Sequence, residues 1–257
     1  MIYHKFKKKA VTILFADDTN AIYTGKTYDE LIQIVCNDLT LLSDWFKCNK
    51  LALNESKTKY IIFHTRFNKP PENVVISLNG VILERVAVTK FLGVLIQENL
   101  NWKDHIDYVC KKVSKSTGLL AKLKHYVPRY VLLIIYNSLC LSHILYALSV
   151  WGNSPYCSLK RVITLQKKGI RHVCNAKYNS HTSPLFKQCS VLKMQDMFKL
   201  QYCKRMLRKN RGLINSYHAS KVPIKGDVTK ILTRRTLYVS VQTHKSLSRI
   251  NSLNYKV

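Results

Sequence analysis

The chain has 257 residues, and 47% apolar residues with 8 glycines and 6 prolines exclude wholesale disorder and a collagen-like or low-complexity architecture. Its formal net charge is +28, unevenly distributed: residues 1–100 carry 13 basic and 10 acidic side chains, whereas residues 101–257 carry 29 and 4. This imbalance predicts a polyanionic partner for the second part of the chain.

The first predicted element is a β-hairpin. Residues 11–15 and 21–23 are β-prone runs, and the segment between them is rich in turn-forming residues. Near its tip the hairpin carries two adjacent carboxylates, Asp17 and Asp18. Aspartate favours turns because its side chain bonds the local backbone, and carboxylate oxygens are also the ligands that Mg²⁺ prefers. The pair is therefore compatible with a structural turn or with metal-dependent chemistry.

A long amphipathic helix is predicted over residues 28–48. Thr27 and Glu30 have the spacing of a capping box, and apolar residues recur after them at helical intervals. Strand-like segments follow at 60–64, 74–78, 81–83 and 91–96, and Asn79-Gly80 is a strong hairpin signal. The first 100 residues thus indicate an α+β layer.

From about residue 101 the pattern becomes helical and basic. Apolar residues at near-helical spacing predict helices over 104–126, 128–150, 157–175 and 190–209. Residues 131–151 are free of charge and long enough to span a bilayer, but polar residues interrupt them, so a helix buried among other helices is the main interpretation. Beyond residue 210 the periodicity is weak, and a mobile end is expected.

The cysteines and the N-terminal segment bear on the compartment. Eight scattered cysteines without a CxxC pair, and a start that does not complete a signal peptide, predict reduced thiols in the nucleus or cytoplasm rather than a secreted protein. Cys174, His181 and Cys189 could be drawn as metal ligands, but their spacing fits no compact zinc module.

Several blocks, in this order, resemble the reverse transcriptases of non-LTR retrotransposons of the LINE-like, Jockey type. Ile13-Leu-Phe-Ala-Asp-Asp18 is similar to the family's aromatic-Ala-Asp-Asp hairpin, with Phe in place of the commoner Tyr. Leu51-Ala-Leu-Asn-Glu-Ser-Lys-Thr-Lys-Tyr60 looks like its Leu-x-Leu-Asn-x-x-Lys-Thr block. Lys90-Phe-Leu-Gly-Val-Leu-Ile96, with Leu100-Asn-Trp-Lys-Asp-His-Ile106, resembles its primer-grip strand and the entry to its thumb. The later Leu145-Tyr146, Trp151 and Leu165-Gln166 resemble the thumb and the helical region beyond it. The resemblance covers about residues 11–176.

The resemblance implies a partial reverse-transcriptase palm of α+β class over residues 1–100. A thumb-like helical domain would follow over 101–176, and a basic C-terminal helical region with a tail over 177–257. The intact family enzyme is an RNA-directed DNA polymerase that works by two-metal nucleotidyl transfer. Its implied cofactor is Mg²⁺, and its implied partners are an RNA template and a DNA primer, with no membrane.

The resemblance also assigns site residues. Asp17 and Asp18 would be catalytic and metal-binding. Lys57 would lie near the nucleotide and pyrophosphate, or else be a solvated lysine before a strand. Leu92 and Gly93 would form the turn-like primer grip, or Gly93 would simply permit a bulge.

The first predicted thumb helix carries a basic stripe, and its expected partner is the template–primer backbone. The stripe consists of Lys111, Lys112, Lys115, Lys122 and Lys124. Trp102 and His105, at the start of this helix, are expected to pack and cap it rather than to perform chemistry.

The sequence also departs from the family's pattern. A palm needs a further aspartate from an upstream strand, yet the sixteen residues before Asp17 include no acidic one. The chain is therefore expected to be a C-terminal fragment, poorly soluble and with little or no polymerase activity alone. Two alternatives stay open: a nucleic-acid-binding module whose aspartates are idle, and a decayed element without a selected function.

Overall fold

The computed structural model describes residues 10–16, 18–65, 67–210 and 237–244. These residues fall into two compact units. The first contains the described residues up to Thr89, with Gln97–Leu100 and the strand at 237–244. The second contains Lys90–Ile96 and residues 101–210. The division into palm, thumb and C-terminal region stays a prediction.

The elements have the following bounds in chain order: β1 (Ala10–Phe15), β2 (Asp18–Gly25), α1 (Tyr28–Cys48), a 3₁₀ turn (Glu55–Lys57), β3 (Lys59–Phe63), β4 (Ser77–Leu78), β5 (Val81–Ile82), β6 (Glu84–Arg85), β7 (Val88–Phe91), β8 (Val94–Gln97), α2 (Lys103–Leu123), α3 (Arg129–Ile135), a π-helical segment (Tyr136–Leu141), α4 (Ser142–Leu145), α5 (Leu148–Trp151), α6 (Tyr156–Val173), α7 (Thr182–Gln188), α8 (Met194–Asn210) and β9 (Leu237–His244).

The main sheet of the first unit has the strand order β1-β2-β9-β3-β6 within the part of the chain that the structure describes. β9 is antiparallel to both β2 and β3, so β2 and β3 run parallel and begin at the same edge of the sheet. A strand at 237–244 was not predicted, because this region was assigned to a helical domain and tail. The alternation of Leu237, Val239 and Val241 with polar residues has the period of two that a strand requires.

Helix α1 covers the sheet, and its bounds confirm the predicted helix over 28–48. Thr27 caps its start, since the side chain accepts a hydrogen bond from the backbone N–H of Glu30 at 3.2 Å. The buried face of α1 contributes Leu31, Val35 and Leu39 to the core of this unit. β1 is an edge strand of this sheet, and it exposes the side chains of Val11, Leu14 and Phe15.

Two tight turns differ in how well the sequence predicted them. Asn79 and Gly80 have φ angles of +52° and +81°, which confirms the predicted hairpin between β4 and β5. Residues 91–96, in contrast, were predicted as one strand, and this is wrong. Leu92 and Gly93 have φ angles of +45° and +80°, so the chain reverses there and separates β7 from β8.

The second unit is a helical bundle in which α2 and α6 run side by side in the same direction. Asp107 and Arg161 pair near the start of both helices at 2.9 Å, and Lys124 lies close enough to His172 near their ends to lower the pKa of that histidine. Their apolar faces meet in a core that includes Val113, Leu120 and Ile170.

The predicted helix over 128–150 is broken in the structure. It runs as α3, the π-helical segment and α4, and then stops at Tyr146, because Ala147 adopts a φ of +50°. A short helix, α7, was not predicted. The longer helices α2, α6 and α8 agree with their predicted ranges within a few residues. Among the described residues, every helix is too short or too polar to cross a membrane.

Candidate functional site

Asp18, one of the two predicted carboxylates, lies near the tip of the first hairpin. Phe15 faces Asp18 in the antiparallel register, so two residues separate β1 from β2. Ala16, the first turn residue, has a φ of +49°, as such tight hairpin turns require. Asp18 is half-buried and opens β2, whereas Asp17 lies outside the described residues.

The topology brings Lys57 to the same edge of the sheet. Asp18 begins β2, and the 3₁₀ turn that ends at Lys57 leads directly into β3. β9 lies between these strands and ends at this edge, where the register places His244 opposite Asp18. With strands about 4.8 Å apart, β2 and β3 are separated laterally by roughly 10 Å, and the register sets the start of β3 two residues further along than the start of β2. A carboxylate and an exposed lysine that were far apart in sequence thus share one edge.

The lysine is positioned by residues that the sequence analysis missed. The side chain of Asn54 accepts a hydrogen bond from the backbone N–H of Lys57 at 3.1 Å and so caps the 3₁₀ turn. The buried hydroxyl of Thr58 donates to the carbonyl of Asn54 at 2.9 Å. An Asn three residues before Lys57 is a recognisable cap signal. The Asn and Thr of this block therefore fix the local backbone that presents Lys57.

The fit of this edge to a metal ion follows from its donor atoms. Mg²⁺ binds oxygen ligands and often keeps only one or two protein carboxylates, with water and substrate phosphates completing its shell. Asp18 offers a ligand of this kind, and Asp17 precedes it in the sequence. The residues that the structure describes include no cluster of three or more His, Cys, Asp or Glu side chains able to hold a metal ion.

The predicted primer-grip residues form a turn that is held from the helical bundle. The hydroxyl of Tyr146 donates a hydrogen bond to the carbonyl oxygen of Leu92. A Cβ placed on Gly93 would lie 3.5 Å from the ring of Tyr146. Tyr146 is itself anchored, because the indole N–H of the fully buried Trp151 donates to its carbonyl at 2.9 Å. Sequence reasoning did not identify this contact, since it joins residues 54 positions apart.

Trp102 and His105 lie at the start of α2 and pack there as predicted, but the predicted capping is wrong, because Trp102, at the N-cap position, makes no side-chain capping hydrogen bond. Trp102 adopts a φ of +61° immediately before the helix. His105 is buried, and its Nδ1 accepts a hydrogen bond from the backbone N–H of Leu95 at 3.3 Å. Burial lowers the pKa of His105, so the imidazole is held neutral and links β8 to the helix.

The predicted basic stripe divides into separate parts. Lys111, Lys115 and Lys122 have spacings of four and seven residues, which place them on one exposed face of α2, opposite its buried face. Lys112 lies about 100° around the helix, with its Nζ 5.7 Å from the centre of the Tyr108 ring. Lys124 follows the helix on the side of His172. The prediction that several of the five lysines share one side of the helix is therefore confirmed for three of them. Lys124 lies elsewhere because two residues of helix turn the chain by about 200° from Lys122.

Comparison with known proteins shows what this chain is similar to. No family model matches it, and no solved structure matches it. Its sequence relatives are RNA-directed DNA polymerases and a Pol polyprotein of transposable elements. The resemblance to reverse transcriptases of Jockey-type non-LTR retrotransposons is therefore confirmed, and the chain is similar to part of such proteins.

Three relatives illustrate the similarity. The chain is 26% identical over 175 residues to the probable RNA-directed DNA polymerase from transposon BS of Drosophila melanogaster, covering 66% of the chain and 19% of that protein. It is 24% identical over 205 residues to the RNA-directed DNA polymerase from mobile element jockey of the same species, with coverages of 76% and 21%. It is also 24% identical over 220 residues to the retrovirus-related Pol polyprotein from type-1 retrotransposable element R1 of Bradysia coprophila, with coverages of 84% and 21%. The chain spans about a fifth of the length of these relatives.

Proposed function

We propose that the chain is part of an RNA-directed DNA polymerase, in which the first unit contributes part of the palm and the second unit the thumb. The carrying observation is the similarity, over 66% to 84% of the chain, to proteins of transposable elements that include two RNA-directed DNA polymerases. The sheet edge that presents Asp18 and Lys57 supports it. The partners would be an RNA template and a DNA primer, in the nucleus or cytoplasm.

Each site residue then has a chemical role. Bound Mg²⁺ would supply Lewis-acid stabilisation of the charge that develops on the phosphate oxygens. Asp17 and Asp18 would hold the ion at the hairpin tip. Lys57 would offset the negative charge of the departing pyrophosphate, since a positioned cation is most useful where charge develops.

Two further surfaces would hold the nucleic acid. The turn at Leu92 and Gly93, which Tyr146 holds in place, would support the primer end. The side chains of this turn would take no part in the reaction. The face of Lys111, Lys115 and Lys122 would contact phosphates of the template–primer duplex, since exposed lysines gain affinity by releasing counterions from the backbone.

A metal-dependence measurement tests the proposal on the chain as it is. The affinity for a fluorescently labelled RNA–DNA hybrid with a recessed primer is measured with deoxynucleotide, with and without Mn²⁺. Mn²⁺ should strengthen binding, and the double variant Asp17→Asn, Asp18→Asn should lose this strengthening. Asp44→Asn, at an exposed position on α1, is the matched control and should behave like the wild type.

A binding module without catalysis is the second candidate. It is favoured by the exposed face of Lys111, Lys115 and Lys122 on α2, which can hold phosphates without a metal ion. The same measurement separates the two, because a binding module would hold the hybrid equally well with and without Mn²⁺. Indifference to both the ion and the aspartate substitutions would replace the polymerase proposal with this one.

A further inference from the structure

The loop that joins α6 to α7 carries an exposed tyrosine, and two cationic side chains of α6 lie near its ring. Tyr178 is 78% exposed, so its ring contributes little to the core. The Nζ of Lys168 and the guanidinium carbon of Arg171 each lie 6.0 Å from the ring centre. Both distances are within the range of cation–π attraction. A solvent-accessible aromatic ring therefore has two positive charges close to it.

The loop that carries this ring is tied to the end of α6. Arg171 donates from Nε to the carbonyl of Ser180 at 3.0 Å, and its own carbonyl accepts from the N–H of Ala176 at 2.9 Å. The N–H of Ser180 donates to the carbonyl of Lys177 at 3.0 Å, which closes a turn around Tyr178. The backbone that carries the ring is thus held in place before a ligand arrives, and this lowers the ordering cost of binding.

The surroundings of the ring are strongly positive. Residues 108–195 contain fourteen Lys and Arg and no Asp or Glu. Lys124 and Lys168 add to the effect of burial in lowering the pKa of His172, which reports a positive potential at this end of α6. A ligand that suits the site has a flat ring to stack on Tyr178 and anionic groups to meet the cations. A nucleotide within a strand combines both features.

We propose that Tyr178, Lys168 and Arg171 form a stacking site for an unpaired nucleotide of single-stranded nucleic acid. The proposal deepens the proposed function, because it rests on the chain acting on nucleic acid, and it adds a contact that distinguishes single strands from duplex. Bases inside a duplex already stack on their neighbours and offer no free face to the ring. Lysines alone, such as those on α2, bind both forms through phosphates.

The experiment uses the full chain and two probes, a labelled single-stranded RNA of twelve adenosines and a twelve-base-pair RNA–DNA hybrid. Tyr178→Ala should weaken binding to the single strand by about five- to 150-fold, the usual contribution of one stacked base, and change the affinity for the hybrid less than twofold. Tyr178→Phe, which keeps the aromatic ring, should bind the single strand as the wild type does. Tyr156→Ala, which removes an exposed tyrosine from the first position of α6, is the control and should bind as the wild type does.

A salt titration separates stacking from charge. Lys168→Gln should reduce the slope of log affinity against log salt for the single strand by about 0.7, the value for one lost phosphate contact, whereas Tyr178→Ala should leave the slope unchanged. The proposal is overturned if Tyr178→Ala leaves single-strand affinity intact or weakens both probes equally. Failure of the polymerase proposal looks different: Mn²⁺ and the aspartate substitutions would have no effect, while the Tyr178 dependence would persist.

Discussion

Gly93 and Gly118 are two glycines whose replacement by alanine should have opposite effects on stability. Gly93 sits at a φ of +80°, a left-handed conformation that strains any residue with a Cβ, so Gly93→Ala should lower the free energy of unfolding by about 1–2 kcal/mol. Gly118 lies inside α2, and nothing lies within 4 Å of an added Cβ. Gly118→Ala should raise the free energy of unfolding by up to about 1 kcal/mol. Urea unfolding of both variants measures the difference, and equal effects would contradict the turn at Gly93.

The cysteines should differ widely in their reaction with iodoacetamide. Cys140 is fully buried and burial raises its pKa to about 11, so it should be nearly inert in the folded chain. Cys174 is half-buried, and burial and the Cys189 thiol, 3.3 Å away, raise its pKa to about 11. Because the thiolate is the reactive form, alkylation of Cys174 should accelerate about tenfold per pH unit from pH 8 to 10. Peptide mass spectrometry measures the rates. Exposed Cys157 is the reference, and a plateau for Cys174 below pH 9 would contradict the raised pKa.

The junction of β8 and α2 should make stability depend on pH through His105. Burial lowers the pKa of His105 in the folded state, whereas the unfolded histidine titrates near 6.5. Below that pH the unfolded state binds more protons, so the free energy of unfolding should fall as the pH drops from about 6.5 and stay level above it. His172, whose pKa is also lowered, adds to the same trend.

His105→Gln provides the comparison for this pH dependence. The variant should lose part of the decrease in stability between pH 7 and pH 5, and the remaining part belongs to His172 and other titrating groups. Denaturant unfolding at several pH values measures the slopes. Identical slopes for the wild type and His105→Gln would show that His105 does not lose its proton on folding.

Elements controlled by neighbouring residues could be predicted, and elements set by distant partners could not. The cap at Thr27 and the helical periodicity after it were enough to predict α1, and Asn79-Gly80 was enough to predict a turn, because both signals are local. The turn at Leu92 was hidden in an apolar run, since leucine gives no warning of a positive φ. The break at Ala147 was missed for the same reason.

The candidate site shows the same division. The hairpin tip at Asp18 could be predicted from β-prone runs and a resemblance. The placement of Lys57 at the same edge of the sheet depends on β9, which comes from a distant part of the sequence. The contact between Tyr146 and Leu92 likewise depends on packing within the second unit. Long-range pairing of this kind leaves no periodic trace in a single sequence.

At the scale of the whole molecule, the uneven charge predicts where nucleic acid binds. Replacing Lys111, Lys115 and Lys122 by Gln should weaken binding to an RNA–DNA hybrid and reduce the slope of log affinity against log salt by about 2–3, because each lost phosphate contact contributes about 0.9. The control replaces Lys26, Lys47 and Lys69, three exposed lysines of the first unit, by Gln and so changes the net charge equally. This control should alter the slope by less than 1. If both triple variants reduced the slope equally, the attraction would come from diffuse net charge rather than from the exposed face of α2.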